Sequence, residues 1–141
     1  MIHHEHQLRV RYGETDQMGN VYYGNFALYL EEARTAMIRE LGISYKEMEA
    51  NGFMLPVVEF HMKYRRAAHY DDLLTIRSEI REFPERMLVV HSSVYNEEGT
   101  FLSDGVVKLM FVNKESMKPT KAPDYFRQQL LQHWPGADSQ S

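Results

Sequence analysis

Residues 24–41 read GNFALYLEEARTAMIREL, and this stretch decides the fold. Its apolar positions Phe26, Leu30, Ala33, Met37 and Leu41 recur at spacings of three and four, while Glu31, Glu32, Arg34, Arg39 and Glu40 occupy mostly other faces. That spacing predicts one long amphipathic helix with its apolar stripe buried. Asn25 suits its N-cap and Gly42 its terminator. Just beyond, Ser44-Tyr45-Lys46-Glu47 fits a capping box, so a second, shorter helix starts at Ser44 and stops at Gly52.

On the N-terminal side, Gln7 to Tyr12 alternates apolar Leu8, Val10 and Tyr12 with polar Gln7, Arg9 and Arg11, the period of a strand with one buried face. The polar, Gly-punctuated run Gly13 to Asn20 is then a loop leaving that strand. On the C-terminal side, Pro56–Arg65, Leu73–Phe83, Met87–Tyr95 and Phe101–Val112 are rich in Val, Ile, Tyr or Phe and read as strands. Their short separators imply antiparallel neighbours. Pro119 and Pro123 lead to a last helix from about Asp124 to His133, and residues 1–6 and 135–141 are expected to be flexible ends. The result is one α+β domain spanning 1–141, with an antiparallel sheet of about five strands that must cover the long helix. Such a sheet has an edge and an outer face to protect, so a homodimer or larger assembly is expected.

The chain has 141 residues, 43% of them hydrophobic, and a formal net charge of −4, within the range of an ordinary globular protein. Mild acidity disfavours nucleic acid as a partner, because phosphate binding rests on clustered Lys and Arg. The absence of Cys excludes thiol nucleophiles, thiolate metal sites and disulfides, and is compatible with the cytoplasm. No signal peptide or membrane-spanning run is seen.

The densest cluster of unusual residues runs from Arg11 to Phe26. Within it, a loop carboxylate, Asp16, precedes the N-terminus of the long helix, where unpaired N–H groups and the positive dipole end suit a developing oxyanion. Gly19 and Gly24 allow backbone to approach a ligand closely, and Val21 and Tyr22 lie between them as candidate substrate contacts. By residue type alone, Glu14, Thr15 and Asp16 also suit a solvated turn at the start of a helix.

The segment from Tyr12 to Arg34, with a Tyr-x-Glu-Thr-Asp-x-x-Gly-x-Val-Tyr core followed by Tyr29, Glu31, Ala33 and Arg34, resembles the 4-hydroxybenzoyl-CoA thioesterase-like hotdog family. It is most similar to the bacterial branch associated with the Tol-Pal system. Val57-Val58, Tyr64, Ala67, Asp71-Asp72-Leu73 and Lys118-Pro119 extend the resemblance over nearly the whole chain. It implies a hotdog fold, a homodimer or homotetramer, and an enzyme that hydrolyses acyl-CoA thioesters. The family's catalytic aspartate falls on Asp16 and its oxyanion-binding backbone N–H on Tyr23. Many relatives in this branch carry His where Tyr23 stands, so a His-assisted step is not expected. No cofactor is implied beyond the coenzyme A of the substrate. The rival readings are a non-catalytic acyl-thioester-binding or scaffolding protein, and a dehydratase, which ranks last because no His occurs between His6 and His61.

Other residues are weaker candidates. Glu59 and His61 share a strand face and either line an acyl pocket or sit in solvent. Lys63, Arg65, Arg66 and Arg86 could meet the phosphates of coenzyme A, or be surface charge. Met54, with Met18, Met37, Met48 and Met62, could shape an adaptable acyl site or fill the core. His3, His4 and His6 belong to the expected flexible end, and no metal site is expected.

Overall fold

The computed structural model describes residues 1–136; most of the C-terminal segment expected to be flexible, 137–141, lies outside the described residues. In chain order come β1 (Ile2–Arg9), α1 (Asn25–Glu40), α2 (Tyr45–Ala50), β2 (Phe53–Met54), β3 (Val57–Tyr64), β4 (Leu73–Ile80), β5 (Met87–Tyr95), β6 (Phe101–Met110), β7 (Val112–Asn113) and α3 (Asp124–His133). The main sheet has five antiparallel strands in the order β1-β4-β5-β6-β3, and β2 pairs with β7 in a separate ribbon. This is the α+β hotdog fold that the resemblance implies.

All five stripe residues of α1 are buried, so the period read from the sequence is the packing period. The helix serves two clusters. Phe26, Tyr29, Leu30 and Ala33 pack with Leu74, Ile76, Val94 and Leu102, while Met37, Ile38 and Leu41 join Leu88, Phe111, Phe126 and Leu130, where α3 docks. Gly105 of β6 is what lets α1 come this close. A Cβ there would stand 2.6 Å from Met62 Sδ, 2.9 Å from the His61 carbonyl oxygen and 3.0 Å from Leu30 Cδ2. α1 stops as expected at Gly42, which takes φ +86° and donates its N–H to Arg39 O. Ser44 caps α2 through its side chain, which accepts from Glu47 N.

Several expectations are corrected. The first strand is Ile2–Arg9, not Gln7–Tyr12, so residues 1–6 are not a flexible end. The polar His4 and His6 turn toward α1 because acidic partners await them, with His4 Nε2 2.6 Å from Glu40 Oε2 and His6 Nε2 2.6 Å from Glu32 Oε2. Tyr12, placed on a buried face by the alternation, is 77% exposed, because the strand has already given way to a 3-10 turn at Tyr12–Glu14. Gly24, not Asn25, is the N-cap of α1, and the Asn25 side chain instead donates to Glu14 O at 2.8 Å. Arg34, expected on a polar face, is only 7% exposed.

Candidate active site

The loop between β1 and α1 is built around Asp16. Its Oδ1 accepts the N–H groups of Met18 (2.8 Å) and Asn20 (3.2 Å), its backbone N–H donates to Asn20 O, and Gly19 N–H returns to Asp16 O. Gly19 closes this turn at φ +80°, a conformation that favours glycine. The turn is then stitched to the β3–β4 connection, with Val21 N–H on Ala68 O (2.8 Å) and Tyr70 N–H on Gly19 O (3.1 Å). One carboxylate oxygen of Asp16 is thereby fixed by backbone donors, and its Oδ2 meets no donor among the described residues.

A cavity of about 390 Å³ opens beside this loop, and Asp16, Val21, Tyr22, Tyr23, Phe26 and Tyr64 line it together with Arg65 and Arg66. Tyr22 and Tyr23 are exposed and lie ring against ring, with centroids 4.7 Å apart. Tyr64 donates its hydroxyl to Tyr23 O at 3.1 Å and sets its ring edge-on to Tyr23 and Phe26, fixing the peptide that leads into α1. Tyr22 N–H is taken by Glu14 O, and Asn25 N–H and Phe26 N–H are taken by the turn at the helix start. No acceptor among the described residues takes the Tyr23 N–H. Chemically the cavity thus offers a free carboxylate oxygen and an unengaged backbone donor at a helix N-terminus, with Arg65 and Arg66 in its wall, the Arg65 guanidinium lying 3.8 Å from Asp104 and over the Phe101 ring.

Behind Asp16 stands a network that residue types alone did not reveal. Glu14 Oε1 accepts from Arg11 N–H (2.8 Å) and from the Tyr29 hydroxyl (2.9 Å), and its Oε2 accepts from the Arg11 guanidinium (3.1 and 3.2 Å). Partial burial pushes the Glu14 carboxyl up, but these donors outweigh it and hold the group below the usual glutamate range. Burial and the Glu14 carboxylate push the Tyr29 phenol far up, so it stays a donor. The sequence offered one clue, Tyr29, next to the stripe residue Leu30 and named only within the resemblance, whose hydroxyl needs a partner once it is buried.

This arrangement makes Glu14 the acceptor that ties Arg11 to Tyr29 behind the Asp16 loop. Glu14→Gln should destabilise the fold by about 1–3 kcal/mol, since the amide keeps one acceptor oxygen but turns donors toward Arg11. Because the folded-state pKa is lowered, the ion's contribution is present above the ordinary glutamate range and is lost as pH falls through the lowered value. Wild type should therefore lose more stability than Glu14→Gln on acidification through that window, in denaturant melts at several pH values. Parallel curves would mean that Glu14 holds no special ion.

The remaining candidates lie elsewhere. Met54 lines a different cavity with Arg34 and Tyr45. Glu59 and His61 share an exposed face of β3, where Glu59 is held 2.7 Å from His61 Nε2 and 3.3 Å from Lys108 Nζ, a cluster outside the Asp16 cavity. Arg86 is exposed in the turn before β5, its carbonyl accepting from Phe111 N–H, and does not line the Asp16 cavity either. Met37 and Met48 are core and Met18 is exposed, as their two readings allowed.

Against known proteins, the chain matches the Thioesterase-like superfamily over residues 10–130. It is 35% identical to YneP of Bacillus subtilis over 80% of this chain and 82% of that protein. It is 32% identical to the acyl-CoA thioester hydrolase YbgC of Escherichia coli O6:H1, over 82% and 87% respectively. Among solved structures, DHNA-CoA thioesterase from Staphylococcus aureus superposes with a TM-score of 0.85 at 29% identity, covering 99% of this chain and 91% of that one.

Proposed function

Because this chain belongs to the Thioesterase-like superfamily, we propose that it is an acyl-CoA thioesterase whose reaction centres on Asp16 and the Tyr23 backbone N–H. The observation that carries this reading is their placement in one cavity, with Asp16 Oδ2 and the Tyr23 N–H both unengaged among the described residues. The thioester carbonyl carbon is attacked either by the Asp16 carboxylate, giving a mixed anhydride that water cleaves, or by a water that Asp16 deprotonates. In both routes negative charge builds on the carbonyl oxygen and the Tyr23 N–H meets it. Coenzyme A leaves as a thiolate, so no strong general acid is required. Arg66, on the same wall, suits a phosphate of coenzyme A, and Arg65 would have to leave Asp104 and the Phe101 ring to join it. Val21 and Tyr22 shape the approach and Gly19 acts through the turn it closes beside Asp16, whereas Glu59 and Arg86 are not assigned to it.

The test is thiol release from a panel of acyl-CoAs, small, medium and aromatic. Hydrolysis of at least one of them at a rate typical of enzymes is expected. Release from none would leave a non-catalytic acyl-thioester-binding or scaffolding protein.

The chemistry calls on a carboxylate and a backbone amide, so neither metal nor cofactor enters the proposal. Activity should survive exhaustive chelation, and a loss that zinc or manganese restores would redirect the search to the histidines. The proposal also includes a homo-oligomer in the cytoplasm. Among the described residues no strand lies beside the outer edge of β3, and β3 exposes Val57, Val58, Phe60 and Tyr64. A row of apolar side chains on an open edge is what a second copy would cover. Light scattering should report a dimer or tetramer, and a stable, fully active monomer would refute this part.

A further inference from the structure

A second cavity, of about 340 Å³, lies between α1, α2, β2 and the Leu55-Pro56 link that precedes β3, and shares no lining residue with the Asp16 cavity. Arg34 at its wall is eight residues along α1 from Phe26, about 12 Å at 1.5 Å per residue. Met48, Phe53, Met54, Leu55 and Leu109 make the rest of the wall largely apolar. Arg34 is buried, yet its Nε has no hydrogen-bond partner among the described residues, and neither has the buried hydroxyl of Tyr45. Burial pushes the Tyr45 phenol up, opposed by the nearby Arg34 guanidinium, which lies outside hydrogen-bonding geometry. The phenol remains protonated at neutral pH and able to donate.

A guanidinium removed from water without an anion is costly, and its planar fork matches a carboxylate in two parallel hydrogen bonds. We propose that this cavity binds a small carboxylate with an apolar body, its carboxylate against Arg34 and Tyr45 and its hydrocarbon or aryl part against the apolar wall. Two acidic residues at the rim bear on this. Glu49 is paired with Lys114 at 3.6 Å, while the exposed Glu31 opposes an anion and keeps the affinity modest. The reaction's own acid product is one source of such a ligand and any other apolar carboxylate is a second. The site itself does not depend on the thioesterase reading.

Calorimetric titration of the full chain with benzoate and octanoate, each against its amide, tests the proposal. The carboxylates should bind and the amides bind at least about tenfold more weakly, the loss expected when a charge-assisted pair is removed. Arg34→Met should weaken carboxylate binding by a similar factor, Tyr45→Phe should weaken it less, and Glu31→Gln should tighten it. Asp16→Asn should leave it unchanged, which separates this site from the catalytic cavity. Should Arg34→Met fail to fold by circular dichroism, Arg34→Lys and Tyr45→Phe carry the same comparison, each weakening the carboxylate and not the amide. Equal binding of acid and amide, no binding by wild type at millimolar ligand, or loss of binding in Asp16→Asn would each overturn it. A change of oligomeric state in Arg34→Met, with no carboxylate bound by wild type, would assign the cavity to a second copy and also overturn it.

Discussion

Asp16→Asn should leave the protein folded and cut acyl-CoA hydrolysis by about 10²-fold or more, the scale that a general base contributes. The substitution is conservative for structure because the retained Oδ1 still accepts from Met18 and Asn20 N–H, so the turn that builds the loop survives. What changes is the other atom. Oδ2, which meets no donor among the described residues, becomes an NH₂ group that neither attacks a carbonyl carbon nor takes a proton from water. The loss should fall on kcat and on kcat/KM together, as expected when an interaction made only in the transition state is removed. A raised KM with kcat preserved would mark Asp16 as a mere substrate contact. A residual rate above roughly one tenth of wild type would place the reactive group elsewhere, and no second carboxylate lines this cavity to take over. Single-turnover hydrolysis in ¹⁸O water bears on the route, since label in the Asp16 side chain requires an anhydride that water opens at the Asp16 carbonyl, whereas a general base keeps its own oxygens.

The largest effect on stability is expected at the opposite end of the molecule. Phe126→Ala should destabilise the fold by about 3–5 kcal/mol, lowering Tm by about 10 °C or more. Phe126 is fully buried on the inner face of α3 and meets Phe111 edge-on at a centroid distance of 5.1 Å. Together with Leu130 it is the contact through which α3 joins the cluster of Met37, Ile38 and Leu88. Truncation therefore removes an aromatic contact and leaves a void that rigid strands on one side fill poorly. Hydrolysis at temperatures below the melt should be little changed, because α3 touches neither the Asp16 loop nor its cavity. A loss under about 1 kcal/mol in denaturant melts would show that α3 docking is not integral to the fold.

Where one segment contains its own explanation, its sequence sufficed. The stripe of α1, the Gly42 stop, the Ser44 cap of α2 and the bounds of α3 all follow from spacings within a few turns, and the structure has them. The loop with Asp16 was legible for the same reason, as a polar, Gly-punctuated run between a strand and a helix. Long-range pairing decided the rest. The order β1-β4-β5-β6-β3 puts β1 and β3 at opposite edges, with β3 beside β6 rather than beside its sequence neighbour β4, which no local pattern encodes. His4 and His6 read as solvated until the fold set Glu40 and Glu32 opposite them, and Arg34 read as a surface charge until α2, β2 and the link to β3 closed over it. Met54, Glu59 and Arg86 illustrate the same limit. Residue type says what a side chain can bind, but in a sheet one step along the strand reverses the face, and only the tertiary packing decides which cavity that face meets.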